Sequence, residues 1–501
     1  LAVIDLPDPT YIDNLISRPE WHEPKVMSGV GAVIWICGPG VALDSRLRNF
    51  RTTFSTLKHV ISSPDYCPNN IAFDSAAAAT VRLSQIDGKR YRVSTHDNDN
   101  GVECHAVMPL VSNAQAAVRG QIVQLEPSVE VNTKEAVAPL DIEMTRRDMS
   151  AEVLEEAART HEAISNDQDS MAKWASTVLE KDVEITTLGT GSALPSKYRN
   201  VSATLLRVPG WGSMLFDCGE NTLGQLKRAF TPEEFEEIIR GLRLIVISHM
   251  HADHHLGTVS VIKAWYEKVH QLKPASTPLP TTPVPDLFQD GQRLAVISEP
   301  AMATWLEEYA AVEDYGYSRI APLTVSPAFP DRGQVSRLNW NVSGVTLKGM
   351  NYQDRQEKLD AMLVSPSLLG LQDVQACLVK HCHGARAISI TWPTGFKASY
   401  SGDCRPSARF SQIGKGSTVC IHEATFDDEL QGDADAKNHS TTSEALGVAQ
   451  AMGAKACVLT HFSQMYQKLP VLEHAAEDEP SVEDIATAED VAMTNAPESA
   501  V

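Results

Sequence analysis

Ser248-His249-Met250-His251-Ala252-Asp253-His254-His255 places three imidazoles and one carboxylate between His249 and His254, straight after the apolar run Leu244-Ile245-Val246-Ile247. A chain cannot bury that many polar groups without partners, because each unpaired one costs about 1–3 kcal/mol. A metal ion satisfies all of them at once. His249 and His251 alternate, so both rings can leave an extended loop on one side. Asp253 and His254 follow one step further round the turn, which suits two adjacent metals better than one. A single histidine here would be a hydrogen-bonded or surface ring; the cluster is not so easily explained.

A dinuclear site needs more donors than one loop offers, since zinc takes four ligands and paired metals sit about 3.5–4 Å apart with a bridging group. Three later positions can supply them. His381 follows Cys377-Leu378-Val379-Lys380, Asp403 follows Tyr400-Ser401-Gly402, and His461 follows Cys457-Val458-Leu459-Thr460. Each is a ligand-type residue at the end of an apolar strand, where open α/β sheets place their sites. Alone, Asp403 would be a structural Gly-Asp turn. His383 competes with His381, and His381 is preferred because it directly follows the apolar run.

The elements that must hold these residues are legible as alternating strands and helices. Strands are expected over Glu184-Leu188, Gly212-Asp217, Arg243-Ser248, Phe396-Ser401, Thr418-His422 and Lys455-Thr460, and helices over Asn221-Phe230, Thr258-Gln271 and Ser440-Met452. The last opens on Ser440-Thr441-Thr442-Ser443-Glu444, a capping signal. Pro274 to Pro285 reads as a surface loop. Earlier in the chain, Leu1-Leu6, Ala32-Cys37 and Lys58-Ser62 read as strands, with His22, His59 and His96 structural or exposed. Ser150 to His161 reads as a capped helix in a charged connecting stretch.

The His-x-His-x-Asp-His pattern resembles the signature of the metallo-β-lactamase superfamily, which implies an αββα sandwich binding one or two zinc ions. Further motifs narrow the resemblance. Gly189-Thr190-Gly191-Ser192-Ala193 matches an opening turn, and Pro195-Ser196-Lys197-Tyr198-Arg199-Asn200 fits a PxKxRN loop. His422-Glu423-Ala424-Thr425 is a HEAT motif, His439-Ser440-Thr441 an HST motif, and His461-Phe462-Ser463-Gln464 a last ligand motif. Together they resemble long-form tRNase Z, the tRNA 3′-processing endonuclease, from about Val183 to Pro470. The resemblance implies an α/β (α+β) chain of two metallo-β-lactamase-like αββα sandwich domains. Residues 1–100 would be a partial, non-catalytic copy without metal ligands and 101–180 a linker. Residues 181–470 would be the catalytic domain, and 471–501 an acidic tail expected to be disordered. The opening at Leu1, with no initiator Met and a strand-like start, reads as the middle of a domain, after the tRNA-gripping arm of that family.

The resemblance also implies a reaction and roles. The reaction is hydrolysis of precursor tRNA after the discriminator nucleotide, with two Zn2+ activating the water. His249, His251 and His381 are assigned to one zinc, Asp253, His254 and His461 to the other, with Asp403 bridging. Asp253 doubles as general base. His439, oriented by Glu423, is the candidate proton donor to the leaving oxygen. Pro195, Lys197, Arg199, Asn200, Ser440 and Thr441 are the candidate RNA contacts, Lys197 and Arg199 through phosphate charge. As an isolated feature, Lys197 and Arg199 would be a solvated basic turn. The family's compartments are nucleus and mitochondrion, with the cytosol as another, and a monomer with packed halves is expected.

Composition is compatible with this. The 501 residues are 43% hydrophobic and 21% charged, ordinary for a globular protein, and no apolar run is long enough to span a membrane. Nine scattered cysteines, with no Cys-x-x-Cys, argue against a disulfide framework and for a reducing compartment. A net charge of −21 argues against an RNA partner, but Glu473 to Val501 alone carries nine acidic residues and no Lys or Arg. Rival readings are another superfamily hydrolase of thioesterase or lactamase type, an mRNA 3′-end or DNA-repair nuclease, and a non-catalytic tRNA-binding subunit. The spacing between Asp403 and His461 leaves no room for the inserted domain of the nuclease branch, and the filled ligand positions oppose a dead subunit.

Overall fold

The structure is a computed structural model that describes residues 1–67, 74–93, 113–138, 140–275, 292–325, 336–339, 363–366 and 368–464. Four strands open the chain: β1 (Ala2–Leu6), β2 (Ala32–Cys37), β3 (Lys58–Ser62) and β4 (Ala114–Ala116). They form one sheet in the order β1-β2-β3-β4, every pair parallel. One face carries Trp21, Trp35, Phe50 and Phe54, whose ring centroids lie 5.0–6.5 Å apart. Among the described residues this region holds no metal-type cluster. Its buried His59 is structural, as expected: Trp35 Nε1 donates to Nδ1 at 3.0 Å and Nε2 donates to the Phe54 carbonyl at 3.1 Å.

The boundary expected at residue 100 falls short, because β4 lies beyond it and pairs with β3. The stretch to residue 180 is more than a linker. It also holds the hairpin β5 (Ile122–Gln124) and β6 (Glu130–Asn132) and the helices Ile142–Arg147, Ala151–Asn166 and Gln168–Ala175. Ser150 caps the second of these, its hydroxyl accepting from Val153 N at 3.2 Å. Arg92 ties the first region to the second, with an ion pair to Glu234 at 2.9 Å. His96, Cys104, the loop from residue 276 to Pro285 and the acidic tail lie outside the described residues.

Among the described residues, the second region is a single ladder of twelve strands in chain order. These are β7 (Glu184–Gly189), β8 (Ala203–Val208), β9 (Gly212–Phe216), β10 (Leu242–Val246), β11 (Leu294–Ser298), β12 (Ile320–Val325), β13 (Ser336–Asn339), β14 (Asp373–Leu378), β15 (Arg386–Thr391), β16 (Lys397–Tyr400), β17 (Val419–Glu423) and β18 (Ala456–Thr460). β9 to β12 are mutually parallel, as are β16 to β18; the other neighbours are antiparallel.

Alternation along the strands builds three cores. In β10, Leu244 and Val246 join Phe216, Ile297, Ile390, Tyr400 and Ile421 in a core between the two halves of the ladder. The intervening Ile245 faces outward under the helices Thr222–Ala229, Pro232–Arg240, Thr258–His270 and Pro300–Ala310, with Leu226, Phe235, Trp265 and Leu306. Phe410 and Met452, from Ala408–Ile413 and Thr442–Met452, cover Cys377, Ala387 and Cys420 on the opposite face. The result is the four-layered αββα sandwich. Strands buried on both faces account for the near-continuous apolar runs of β8 to β11. Thr441 starts the last helix in a capping box with Glu444, as its sequence implies. Among the described residues, no helix is long and apolar enough to cross a membrane.

Candidate metal centre

Every ligand-type residue singled out above leaves the sheet from one end of its strands. β10 delivers Ser248 and His249, the bend after β14 delivers His381, the turn after β16 delivers Asp403, and β18 delivers His461. Most of the cluster is buried: His249, His254, Asp403 and His461 are each 3% exposed or less, whereas His251 is exposed. His249, His251 and His381 present donor atoms within 4.8 Å of one another, and so do Asp253, His254 and His461. Asp403 lies between the two trios. Its Oδ2 is 3.2 Å from Nε2 of both His254 and His461, and 3.6 and 3.8 Å from Nε2 of His381 and His249. His383 is exposed, whereas the His381 side chain is buried in the cluster.

Buried partners aim these rings. His254 Nδ1 donates to Asp217 Oδ2 at 2.6 Å, which leaves Nε2 for the centre. His461 Nδ1 donates to Thr425 Oγ1 at 2.8 Å with the same effect. Asp217 also accepts from Ser248 N and Oγ at 2.7 and 2.8 Å and from Tyr400 OH at 2.6 Å, so one carboxylate wires three strand ends together. Such outer partners fix the tautomer and orientation of metal-binding imidazoles. Three residues hold left-handed backbone here without being glycine: Ala193 at φ 63°, Asp217 at 56° and His461 at 61°. Strain of this kind persists only where the surroundings over-determine it. Ala193 uses it to donate its N–H to Asp253 Oδ2 at 2.6 Å.

The donor set fits metal ions. His249 Nε2 and His254 Nε2 are buried and make no hydrogen bond. Without an ion the two rings sit in conflict. Burial and the charge of His254 push the His249 pKa well below its ordinary value. His254 rises well above its own, against burial, under Asp403 and Asp217. Burial works against ionisation of Asp253 and Asp403 too. The histidines beside each nevertheless hold both well below the usual carboxylate range, so both are anionic acceptors. A metal ion would relieve the conflict by taking up the unpartnered Nε2 lone pairs of His249 and His254.

A second constellation borders the first. Glu423, 1% exposed, accepts from Cys404 N at 2.7 Å, Ser440 N at 3.1 Å, Thr425 Oγ1 at 2.5 Å and His439 Nδ1 at 2.8 Å. Burial disfavours the charged form of His439, but the hydrogen bond and charge of Glu423 outweigh it and raise its pKa. Arg405 holds the His439 carbonyl at 2.6 Å and grips Glu444 with both ends of its guanidinium, at 2.7 and 2.5 Å.

The expected RNA contacts divide. Pro195 and Lys197 are exposed. Arg199 is committed to the protein, with Nη1 donating to Thr190 Oγ1 at 3.0 Å and its guanidinium 4.9 Å above the Phe462 ring. Asn200 donates to the Glu220 carbonyl at 2.8 Å. Ser440 and Thr441 are buried, the first donating to the Cys404 carbonyl at 2.6 Å and the second capping its helix. Hydroxyls so occupied are not offered to a nucleic acid. Reading ligands from sequence also passes over Asp217, Thr425 and Arg405. Asp217 ends the strand Ser213-Met214-Leu215-Phe216, so the strand-end logic that finds Asp403 could have found it.

A family model described as Anti-Pycsar protein Apyc1 matches residues 183–275. Ribonuclease Z 1 of Schizosaccharomyces pombe is 31% identical over 95% of this chain and 54% of its own length. Zinc phosphodiesterase ELAC protein 2 of Rattus norvegicus is 27% identical over 94% of this chain and 52% of its own. The chain thus spans about half the length of the curated relatives it matches. The crystal structure of a long form RNase Z from yeast superposes with a TM-score of 0.71 at 27% identity, covering 95% of this chain and 67% of that one.

Proposed function

We propose that this chain, a relative of the long-form ribonucleases Z along nearly all of its length, is a zinc-dependent endoribonuclease. Its reaction is cleavage of precursor tRNA 3′ of the discriminator nucleotide, leaving a 3′-OH on the tRNA and a 5′-phosphate on the trailer. The observation that carries the reading is the pair of donor trios sharing Asp403, with a Glu423-supported imidazole beside them. The region of β1 to β4, which holds no metal-type cluster among its described residues, is the non-catalytic half, and the ladder from β7 to β18 is the catalytic domain.

Two zinc ions, when bound, supply positive charge for the scissile phosphate and lower the pKa of water. The protein's own residues do the rest. His249, His251 and His381 would hold one ion, and Asp253, His254 and His461 the other, with Asp403 placed to serve both. Asp253 is the candidate general base toward the attacking water, its Oδ2 held in place by the Ala193 N–H at 2.6 Å. Glu423 accepts from His439 Nδ1 and favours the doubly protonated ring, so His439 has a second proton, on Nε2, to deliver to the departing 3′-oxygen. Lys197 meets the phosphate backbone. Arg199 and Asn200 act indirectly, by bracing the loop against Phe462 and Glu220.

The substrate partner is precursor tRNA, and the protein works as a monomer with its two halves packed together. Nucleus and mitochondrion are the compartments the family resemblance supports. Incubating the full chain with a trailer-bearing precursor tRNA, with zinc and with a chelator, tests the function. Zinc-restored cleavage after the discriminator is expected; intact precursor in the presence of bound zinc would sink the reading.

A further inference from the structure

We propose that Cys420 and Cys457 are a modification site, a dithiol that hydrogen peroxide closes into a disulfide across β17 and β18, slowing the reaction at the strand ends beyond it. The disulfide goes beyond the metal reading; only its effect on cleavage rests on that reading. Neither cysteine takes part in the mechanism above, and both are free thiols. They are direct register partners in the parallel pair of β17 and β18. Both point the same way. Cys420 belongs to the core under the helices Ala408–Ile413 and Thr442–Met452, and Cys457 packs against that core. Their successors Ile421 and Val458 face the other side of the sheet.

Neighbouring strands run about 4.7–4.9 Å apart, and disulfides join Cα atoms about 4.4–6.8 Å apart. The pair therefore lies within bonding reach. The Cys420 thiol already donates a hydrogen bond to the Cys457 sulfur. That bond holds the Cys457 pKa below the ordinary thiol value, against burial, and with burial it pushes Cys420 well above its own. Cys457 is also the reachable sulfur. It is half-buried on β18, the edge strand of the ladder among the described residues, whereas Cys420 is fully buried. The roles divide accordingly. The Cys457 thiolate attacks one peroxide oxygen, the O–O bond breaks, and the departing hydroxide takes a proton to become water, leaving a sulfenic acid. The Cys420 sulfur then attacks the Cys457 sulfur and breaks its S–O bond. The second hydroxide leaves with the Cys420 proton as water. Two thiols lose two electrons to one peroxide, giving one disulfide and two waters.

A relaxed disulfide sets its Cβ atoms about 3.8 Å apart, roughly 1 Å less than the strand spacing. Closure therefore draws β18 against β17 and strains the bond, and a strained disulfide is readily reduced again. The pull is transmitted to the site. β17 leads into Glu423 and β18 into His461, and Thr425 Oγ1 joins the two, donating to Glu423 Oε2 at 2.5 Å and accepting from His461 Nδ1 at 2.8 Å. Ala424 N donates to the Thr460 carbonyl at 2.9 Å and Ser463 N to the Thr425 carbonyl at 3.0 Å, so the strand ends shift together with the groups they carry. A displacement on the order of 1 Å at such groups costs up to ~100-fold in rate.

Treating the zinc-loaded full chain with hydrogen peroxide, alkylating the remaining thiols with iodoacetamide and digesting with trypsin tests this. The two cysteines fall in tryptic peptides 416–437 and 456–468, one in each. These peptides are expected to be cross-linked after peroxide, and separate and alkylated when a phosphine reductant follows the peroxide. Over the same treatment kcat for a trailer-bearing precursor tRNA should fall ~10–100-fold, with zinc content unchanged, and recover on reduction. Cys457→Ser and Cys420→Ser should cleave like the wild type and hold that rate in peroxide. Should the buried Cys420→Ser fail to fold, the half-buried Cys457→Ser decides. Absence of the cross-linked peptide, or a cross-link to other cysteines in its place, overturns the site. A cross-link with kcat unchanged, or an equal loss in Cys457→Ser, overturns its effect on cleavage. A chain that never cleaves precursor sinks the functional reading, and the cross-link still decides the modification site.

Discussion

Strands β1 to β4 and strands β9 to β12 are the same piece of architecture used twice. Each is four neighbouring strands in chain order, all parallel. After β10 the chain reads Ile247-Ser248-His249-Met250-His251; after the corresponding β2 it reads Gly38-Pro39-Gly40-Val41. At Gly38 a Cβ would lie 2.0 Å from the Pro7 carbonyl oxygen, so that strand end is closed over backbone where the other opens onto imidazoles. Both regions bury a carboxylate at this level. Asp65 accepts from Gly40 N and Ala42 N at 2.8 and 3.2 Å and returns the loop to itself. Asp217 accepts from His254 and turns it toward an ion. Both also bury a histidine. His59 has partners on both nitrogens, whereas His249 and His254 each leave Nε2 without a hydrogen bond. Unpartnered nitrogens that converge with other donors set His249 and His254 apart from His59, whereas a lone one, as at His255 or His422, marks no metal.

The largest break in this contrast is Asp403→Asn. An amide cannot serve both trios, so zinc content should fall below two per chain. Cleavage should drop by more than the ~100-fold upper range for outer-partner changes. Full zinc content in this variant would contradict the shared role. His439→Gln comes next, with kcat expected to fall ~10²–10⁴-fold, the usual range for a lost proton donor. Its zinc content should be unchanged, and loss of metal would make His439 a ligand rather than a donor.

The matched pair Asp217→Asn and Asp65→Asn sharpens the comparison itself. The first should weaken zinc by ~10–100-fold, as loss of the partner that orients a ligand does. The second should cost about 1–3 kcal/mol of stability through its unsatisfied loop amides, with zinc affinity untouched. Equal effects of the two on chelator competition would erase the distinction drawn here.

The smallest effect is one of pH. Burial holds the pKa of His59 below its ordinary value, against the hydrogen bond to Phe54. Its folded pKa thus lies under the unfolded value near ~6.5, so the unfolded chain takes the extra proton first as pH falls. Stability of the first region is whole above that value and declines as pH drops toward the folded pKa. Amide protection in β2 and β3, corrected for the intrinsic pH dependence of exchange, should fall from pH 7 to pH 5.5, and this change should vanish in His59→Gln.

Much of this was legible in the chain because ligand-type residues at the ends of apolar runs are an uncommon pattern. His249, His381, Asp403 and His461 announce themselves in that way, and Thr441 with Glu444 announces a helix start. What stayed hidden depends on tertiary partners. Ser440 looks like a free hydroxyl until the Cys404 carbonyl is placed beside it. Arg199 looks like a phosphate contact until Phe462 arrives beneath it. β4, with only Ala114-Gln115-Ala116, is too short to show any period.

Zinc-edge anomalous diffraction from crystals of the zinc-loaded full chain is the most direct test of the central claim. Two peaks are predicted, one beside His249, His251 and His381, the other beside Asp253, His254 and His461, with Asp403 between them and no peak against β1 to β4. A single peak, or one seated in the first region, would contradict the account.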